Sequence, residues 1–248
     1  MQQYFIDNNI ESDFITIDDK YTANHIFNVM RLSEGEEVIL VTPDGMKHVS
    51  KLVDRDSKLF KVIDSIYENF ELPIRCAIAS GFPKGDKLSF ISQKATELGA
   101  SQIYGFPADR SVVRWDNKKI DKLQLKLEKV VQGAAEQSRR NYIPELMLFK
   151  DKTSFVQIFE KFDRVIVAYE ESAMEGESSA LSRTLRDIKR EESLLFVFGP
   201  EGGLSEKEIA LFNSKGGICA GLGPRIMRAE TAPLYALSAV SYALELNL

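Results

Sequence analysis

From about Glu68 onward the apolar positions alternate between two rhythms. "IRCAIASGF" (Ile74–Phe82) is a largely apolar run between Pro73 and Pro83, and it predicts a buried strand. In the next segment, "KGDKLSFISQKATELGA", Leu88, Ile91, Ala95 and Leu98 fall on one helical face, and Gly99 supplies a stop. The rhythm then repeats. "SQIYGFPA" reads as a strand, and "DNKKIDKLQLKLEKVVQGAAEQSRR" as a long amphipathic helix closed before Pro144. Strand "ELMLFK", helix "SFVQIFEKF", strand "RVIVAY", helix "SSALSRTLRDIKRE" and strand "SLLFVF" follow in order. Ser205 and Glu208 form an S-x-x-E box that opens a further helix. "GICAGL" is a short strand, and "ETAPLYALSAVSYALELNL" a final helix with Pro233 in its first turn. Strands and helices alternating at these lengths predict an α/β fold whose sheet is mostly parallel and covered on both faces.

Residues 1–70 have a different texture. "HIFNVMRL" predicts a short apolar helix or turn, and "EEVILVT" and the segment after "PDG" predict two paired strands. Several short strands without a long helix predict a small β-barrel-like module. The expected division is therefore 1–70 and 71–248.

Composition narrows the class. The 248 residues are 44% hydrophobic and 28% charged, which suits a globular chain with a substantial core. No uncharged apolar run approaches the ~18–20 residues needed to cross a bilayer. The acidic N-terminus lacks the basic-then-apolar layout of a signal peptide, so cytoplasmic residence and no membrane partner are expected. Cys76 and Cys219 sit in apolar surroundings and read as small buried hydrophobes. Two histidines, His25 and His48, leave no His-rich metal site, and no metal is expected. A net charge of −5 opposes wholesale nucleic-acid binding but permits a local basic face.

Two glycine-rich loops follow predicted strands: "GPEGG" (199–203) and "GLGPRIMRAET" (221–231). Glycine permits left-handed torsions and a close approach of backbone amides to a ligand, although plain strand-to-helix turns also use it. In open parallel sheets, ligands sit at the carboxyl ends of strands, where such loops gather. Neither a P-loop nor a G-x-G-x-x-G fingerprint is present. Glu201, central in the first loop, would repel a pyrophosphate and suits a cationic or hydroxyl-bearing ligand.

"GPEGG" followed some twenty residues later by "LGPRIMRAETA" resembles the signature pair of the SPOUT-class RNA methyltransferases. "PKGDKLSFISQKATELGAS", "DRSVV", "GAAEQSRRNYIPEL" and "HIFNVMRL" agree with the RsmE-type family in its own order along most of the chain. The resemblance implies a C-terminal sheet with a deep trefoil knot, an N-terminal PUA-like RNA-binding barrel and a homodimer formed through the knotted part. It implies S-adenosylmethionine as cofactor and N3 of a uracil in small-subunit (16S) ribosomal RNA as target, with the small ribosomal subunit as partner. Carried over by position, the cofactor residues are Tyr169, Glu170, Val197, Gly199, Pro200, Glu201, Gly202, Gly203, Leu222, Gly223, Pro224, Arg225, Ile226 and Met227. Met227 and Ala229 stand where the family most often has Leu and Thr.

Methylating uracil N3 requires loss of its proton, so a base, or a cation that stabilises the forming anion, is expected. Arg228 could hold a phosphate or a uracil oxygen, and Glu230 could accept the proton or orient that arginine. Glu201 is the rival base. Helix capping also accounts for Glu230 and Thr231. For the RNA track, Arg139, Arg140 and Tyr142 offer forked cations beside a stacking ring. Arg31, Lys84, Lys94, Arg110 and Arg114 are further candidates, although Lys94 and Glu97 are spaced to pair with each other. Lys118, Lys119, Lys122, Lys126 and Lys129 read equally as a solvated helix face. An enzyme acting on a ribose hydroxyl and a non-catalytic RNA-binding assembly factor are the competing functions.

Overall fold

The computed structural model describes residues 1–10, 12–169 and 179–246. The chain divides into two compact units: Met1–Glu71 with Ala135–Ile143, and Leu72–Ala134 with Pro144–Leu248. A cut at residue 70 alone misses the return of 135–143 to the first unit, because its partners there are distant in sequence.

The first unit is a curled five-stranded sheet with order β1-β3-β4-β5-β2. Its strands are β1 (Gln3–Phe5), β2 (Phe14–Thr16), β3 (Glu37–Val41), β4 (Lys47–Asp54) and β5 (Leu59–Ile66). β4 and β5 pair antiparallel with register shifts at Val49/Ser50 and Leu52/Asp54, irregularities that bend a ribbon and increase its twist. Helix α1 (Lys20–Asn24) is capped by Asp19, whose carboxylate accepts from the Thr22 N–H, and runs into a π-helical turn, His25–Val29. Tyr4, Ile17, Ile26, Phe27, Leu40, Leu52 and Phe60 close the core.

Residues 135–143 are fastened to this unit by buried polar groups. The Arg140 side chain is only 3% exposed, and its Nε donates to both carboxylate oxygens of Glu71 at 2.9 Å, while its Nη2 also pairs with Glu71. Asn141 is buried and bonds Gly45 O, Glu68 O and the Phe70 N–H. Lys47 donates to Arg139 O and lies 3.8 Å from the Phe70 ring centroid.

The second unit contains six parallel strands in the order β11-β9-β10-β6-β7-β8. They are β6 (Arg75–Gly81), β7 (Gln102–Phe106), β8 (Glu145–Leu148), β9 (Arg164–Ala168), β10 (Ser193–Phe198) and β11 (Gly217–Ala220). All six residues of β10 are buried, as expected of a strand covered on both faces. Helices α2 (Lys87–Glu97), α3 (Asn117–Gln137), α5 (Ser179–Asp187) and α7 (Thr231–Ser241) supply residues to one core, built around Ile78, Ile91, Leu127, Leu185, Phe196 and Leu237. Helices α4 (Lys152–Gln157) and α6 (Glu206–Ser214) supply the opposite core, where Phe106 stacks on Phe155 with centroids 4.1 Å apart. The parallel alternation and the two covered faces thus follow the hydrophobic pattern.

Candidate functional site

Strand order alone defines a crevice. The chain leaves β6 into α2 on one face of the sheet and leaves the neighbouring β10 into α6 on the other. Such a divergence at the carboxyl edge is the topological switch point at which ligands enter open α/β sheets. Register then aligns the candidate loops. Val197 pairs with Val167, and Val167 with Cys219, so β10, β9 and β11 end side by side. The loops beginning at Gly199, Tyr169 and Gly221 therefore leave one edge together, and the Tyr169 N–H donates to Ala220 O at 3.1 Å.

The glycines of the first loop answer to packing within the protein. A Cβ on Gly199 would lie 2.8 Å from the Gly203 carbonyl carbon and 2.9 Å from the Leu204 nitrogen. On Gly202 it would lie 3.0 Å from Arg110 Cβ, and Gly203 has φ +72. The plain-turn reading thus explains all three. Gly81, at the end of β6, is close-packed for the same reason, with a Cβ placed 2.7 Å from Pro200 Cδ. In the second loop Gly223 differs: φ is +104 and open space lies where a side chain would be. Gly221, Leu222 and Gly223 line a cavity of about 650 Å³, together with Leu185, Arg186, Tyr235 and Tyr242. That volume suits a nucleoside-sized ligand, although the first loop does not line the cavity.

Charge gathers at the crevice. Lys87, in the first turn of α2, has its Nζ 2.9 Å from Glu201 Oε1 and 3.0 Å from Glu230 Oε2. Glu201 Oε1 also accepts from the Lys84 N–H at 3.2 Å. Oε2 of Glu230 is buried and makes no hydrogen bond beyond this ion pair. Burial pushes the Glu201 carboxyl up, but Lys87 and the N–H groups of Glu201 and Lys84 outweigh it and hold it below its ordinary value. Contact with Lys87 likewise holds Glu230 down, and the two carboxylates raise Lys87. Capping does not explain Glu230, which makes no side-chain cap bond to α7. The helix start is served instead by Arg228 O, which accepts from the N–H groups of Thr231 and Ala232.

A second polar cluster braces the first loop from the β7 side. Glu208 is buried and accepts from the N–H groups of Asp109 and Ser205, completing the predicted capping box. Lys152 Nζ lies 2.7 Å from Glu208 and 2.5 Å from Asp109, and Ser205 Oγ donates to Asp109 at 2.6 Å. Arg110 Nη1 donates to Gly202 O at 3.3 Å.

The structure therefore joins Glu201, Glu230, Lys84 and Arg110 around the first loop. Pro200 is buried; Pro224, Arg225, Ile226 and Arg228 are exposed; Met227 is partly buried. Val197 is wholly buried in the α4/α6 core, so its side chain has no access to a ligand. Glu170 lies outside the described residues. Lys94 pairs with Glu97 at 2.8 Å rather than reaching outward. In the first unit Arg31, Arg139 and Tyr142 are exposed, whereas Arg140 is not. The expectation that Arg140 meets RNA is corrected, because its guanidinium is buried against Glu71. Sequence reading missed Lys87. Its partners lie far along the chain, and only the β6–β10 neighbourhood brings them within reach. Cys76 is wholly buried, and burial pushes its thiol up to about 12, in keeping with a structural role. Among the described residues no group of three or more His, Cys, Asp or Glu side chains could hold a metal ion.

An all-parallel sheet with glycine loops and an ionic cluster at one edge is thus accompanied by a curled β unit, and family models assign each part. Residues 70–241 match the RNA methyltransferase domain family, and residues 17–64 match the RNA methyltransferase PUA domain family. The chain belongs to the RsmE-type family within that class. It is 48% identical over 226 residues to the ribosomal RNA small subunit methyltransferase E of Bacillus subtilis, covering 90% of this chain and 88% of the relative. It is also similar to the crystal structure of the ribosomal RNA small subunit methyltransferase E of Neisseria gonorrhoeae bound to S-adenosyl methionine. That pair shares 25% identity and a TM-score of 0.78, with 97% of each chain covered. A methyltransferase of Legionella pneumophila, in complex with the bound cofactor SAM, matches at 25% identity and TM-score 0.78, with 98% of each chain covered.

Proposed function

We propose that this protein transfers the methyl group of S-adenosylmethionine to N3 of a uridine in small-subunit (16S) ribosomal RNA. The observation that carries the reading is the alignment of the ends of β9, β10 and β11 at one sheet edge, beside a cluster of one ammonium and two carboxylates. The residues suit the cofactor. Open space beside Gly223 and the 650 Å³ cavity at that loop leave room for a nucleoside. Leu222 and Gly223 would hold it from one side, with the backbone of Gly199–Gly203 and Tyr169 completing the pocket. Bound there, the cofactor would supply an electrophilic methyl carbon on a sulfonium.

What the chain itself contributes is alignment, exclusion of phosphate by Glu201 and a fixed ionic frame around the reacting base. Exposed Arg31, Arg139 and Tyr142 on the first unit are the RNA-facing groups in this reading. Homodimerisation through the sheet unit, threading of its C-terminal part into a trefoil knot and cytoplasmic residence belong to the same proposal. Phe90, Tyr235 and Tyr242 are exposed rings on α2, α7 and the turn after it, available to a second copy. Among the described residues no helix is long and apolar enough to cross a membrane.

Small subunits lacking the modification, incubated with the protein and labelled S-adenosylmethionine, test the reading by nucleoside mass spectrometry. Label in N3-methyluridine is expected. Label in a 2′-O-methylribose would replace the target, and absence of S-adenosylmethionine binding by calorimetry would favour an assembly factor.

A further inference from the structure

The cation at the centre of the crevice is placed to do more than hold two carboxylates together. Lys87 is presented by the first turn of α2, and its side chain is 31% exposed. Carboxylates from two separate loops flank its Nζ at 2.9 and 3.0 Å. An ammonium has three N–H donors, so two acceptors leave one donor for a ligand. Glu201 and Glu230 are both held below their ordinary carboxyl range, which makes them weak acceptors for the N3 proton. Removing that proton places negative charge on the uracil carbonyl oxygens as well as on N3. The demand at this site is then for a fixed positive charge more than for a side-chain base. Arg228 is exposed and influences Glu230 only electrostatically, whereas Lys87 is pinned on two sides.

We propose that Lys87 is a catalytic residue, its ammonium held by Glu201 and Glu230 and donating to a uracil carbonyl oxygen as N3 loses its proton. This inference rests on the uracil-N3 reading above. The proton passes to water or hydroxide. The freed N3 electron pair bonds the methyl carbon, and the carbon–sulfur pair stays on sulfur, leaving a neutral thioether. Lys87 remains an ammonium throughout. The two acids serve as positioning residues that fix its place.

The test uses the full chain with Lys87→Met, Lys87→Gln and Lys87→Arg, unmodified small subunits and S-adenosylmethionine. Loss of one preorganised donor predicts that the Met and Gln variants lose about 10²-fold in kcat. Their cofactor Kd by calorimetry should stay within about threefold of the parent, since the lost contact is made to the transition state. Their deficit should shrink as pH rises, because hydroxide then assists an ionisation the cation no longer supports. Lys87→Arg, keeping the charge, should retain more activity than either. Melting temperatures identify a variant that fails to fold, and the remaining neutral variant then carries the comparison.

A Kd raised about tenfold or more with kcat at saturating cofactor near the parent value would overturn the proposal in favour of a loop brace. A deficit of equal size at every pH would overturn it as well. A parent that methylates a ribose hydroxyl overturns both this inference and the reading beneath it, whereas a parent active at N3 with an equally fast Lys87→Met overturns this inference alone.

Discussion

Replacing Glu71 by alanine should separate a structural arginine from an RNA-binding one. In the parent, Arg140 is 3% exposed at its side chain and gives Nε to both Glu71 oxygens, each at 2.9 Å, with Nη2 also engaged. Glu71 Oε1 accepts from the Asn141 N–H at 2.9 Å as well. Alanine strips the carboxylate from a buried guanidinium and removes the acceptor of that backbone donor. Breaking one side of a buried ion pair typically costs about 3–5 kcal/mol. With a urea m-value of about 1.5 kcal/mol/M, the first unit's midpoint should fall by roughly 2–3 M. Arg140→Met should destabilise less, because Glu71 is 17% exposed and keeps the Asn141 N–H. Urea titrations followed by circular dichroism measure both variants, and RNA filter binding is run below the onset of unfolding. A Glu71→Ala midpoint within about 0.5 M of the parent, joined to an RNA affinity lowered about tenfold by Arg140→Met, would refute the burial argument.

Two further outcomes are expected. Gly199→Ala should destabilise the sheet unit by about 1–3 kcal/mol, because its Cβ would meet backbone atoms of Gly203 and Leu204 that cannot swing aside; a melting temperature equal to the parent's would contradict this. Burial holds His48 below its ordinary value of 6.5, with Asp44 opposing, so the unfolded chain binds more protons as pH falls from 6.5 toward the folded value. The stability that neutral His48 contributes is therefore complete above pH 6.5 and is lost as pH falls through the folded pKa; an NMR titration midpoint above 6.5 would reverse the sign.

The hydrophobic rhythm carried the second unit well. Fully buried β10 and one-sided α2 each have a local signature, and the S-x-x-E box at Ser205 formed as its spacing implied. What failed was non-local. "SRR" looks the same whether its arginines face water or Glu71, and the positive φ of Arg139 (59) is not written in residue type. Lys87 could not be linked to Glu201 and Glu230 without the strand order that seats β6 beside β10. The three glycines of the first loop suggested close ligand approach, yet Gly199 and Gly202 are explained by their neighbours and Gly203 by its positive φ, and it is Gly223 that faces open space. Val197 sat beside the loop in sequence but points into the core, as alternation along a strand dictates.

Hydrogen exchange with and without S-adenosylmethionine probes most directly whether loops distant in sequence share a single ligand. Peptides covering 199–203 and 222–227 should slow together when the cofactor is added, with the same concentration dependence. Saturable binding that protects only one of the two segments, or neither, would contradict a pocket built from both.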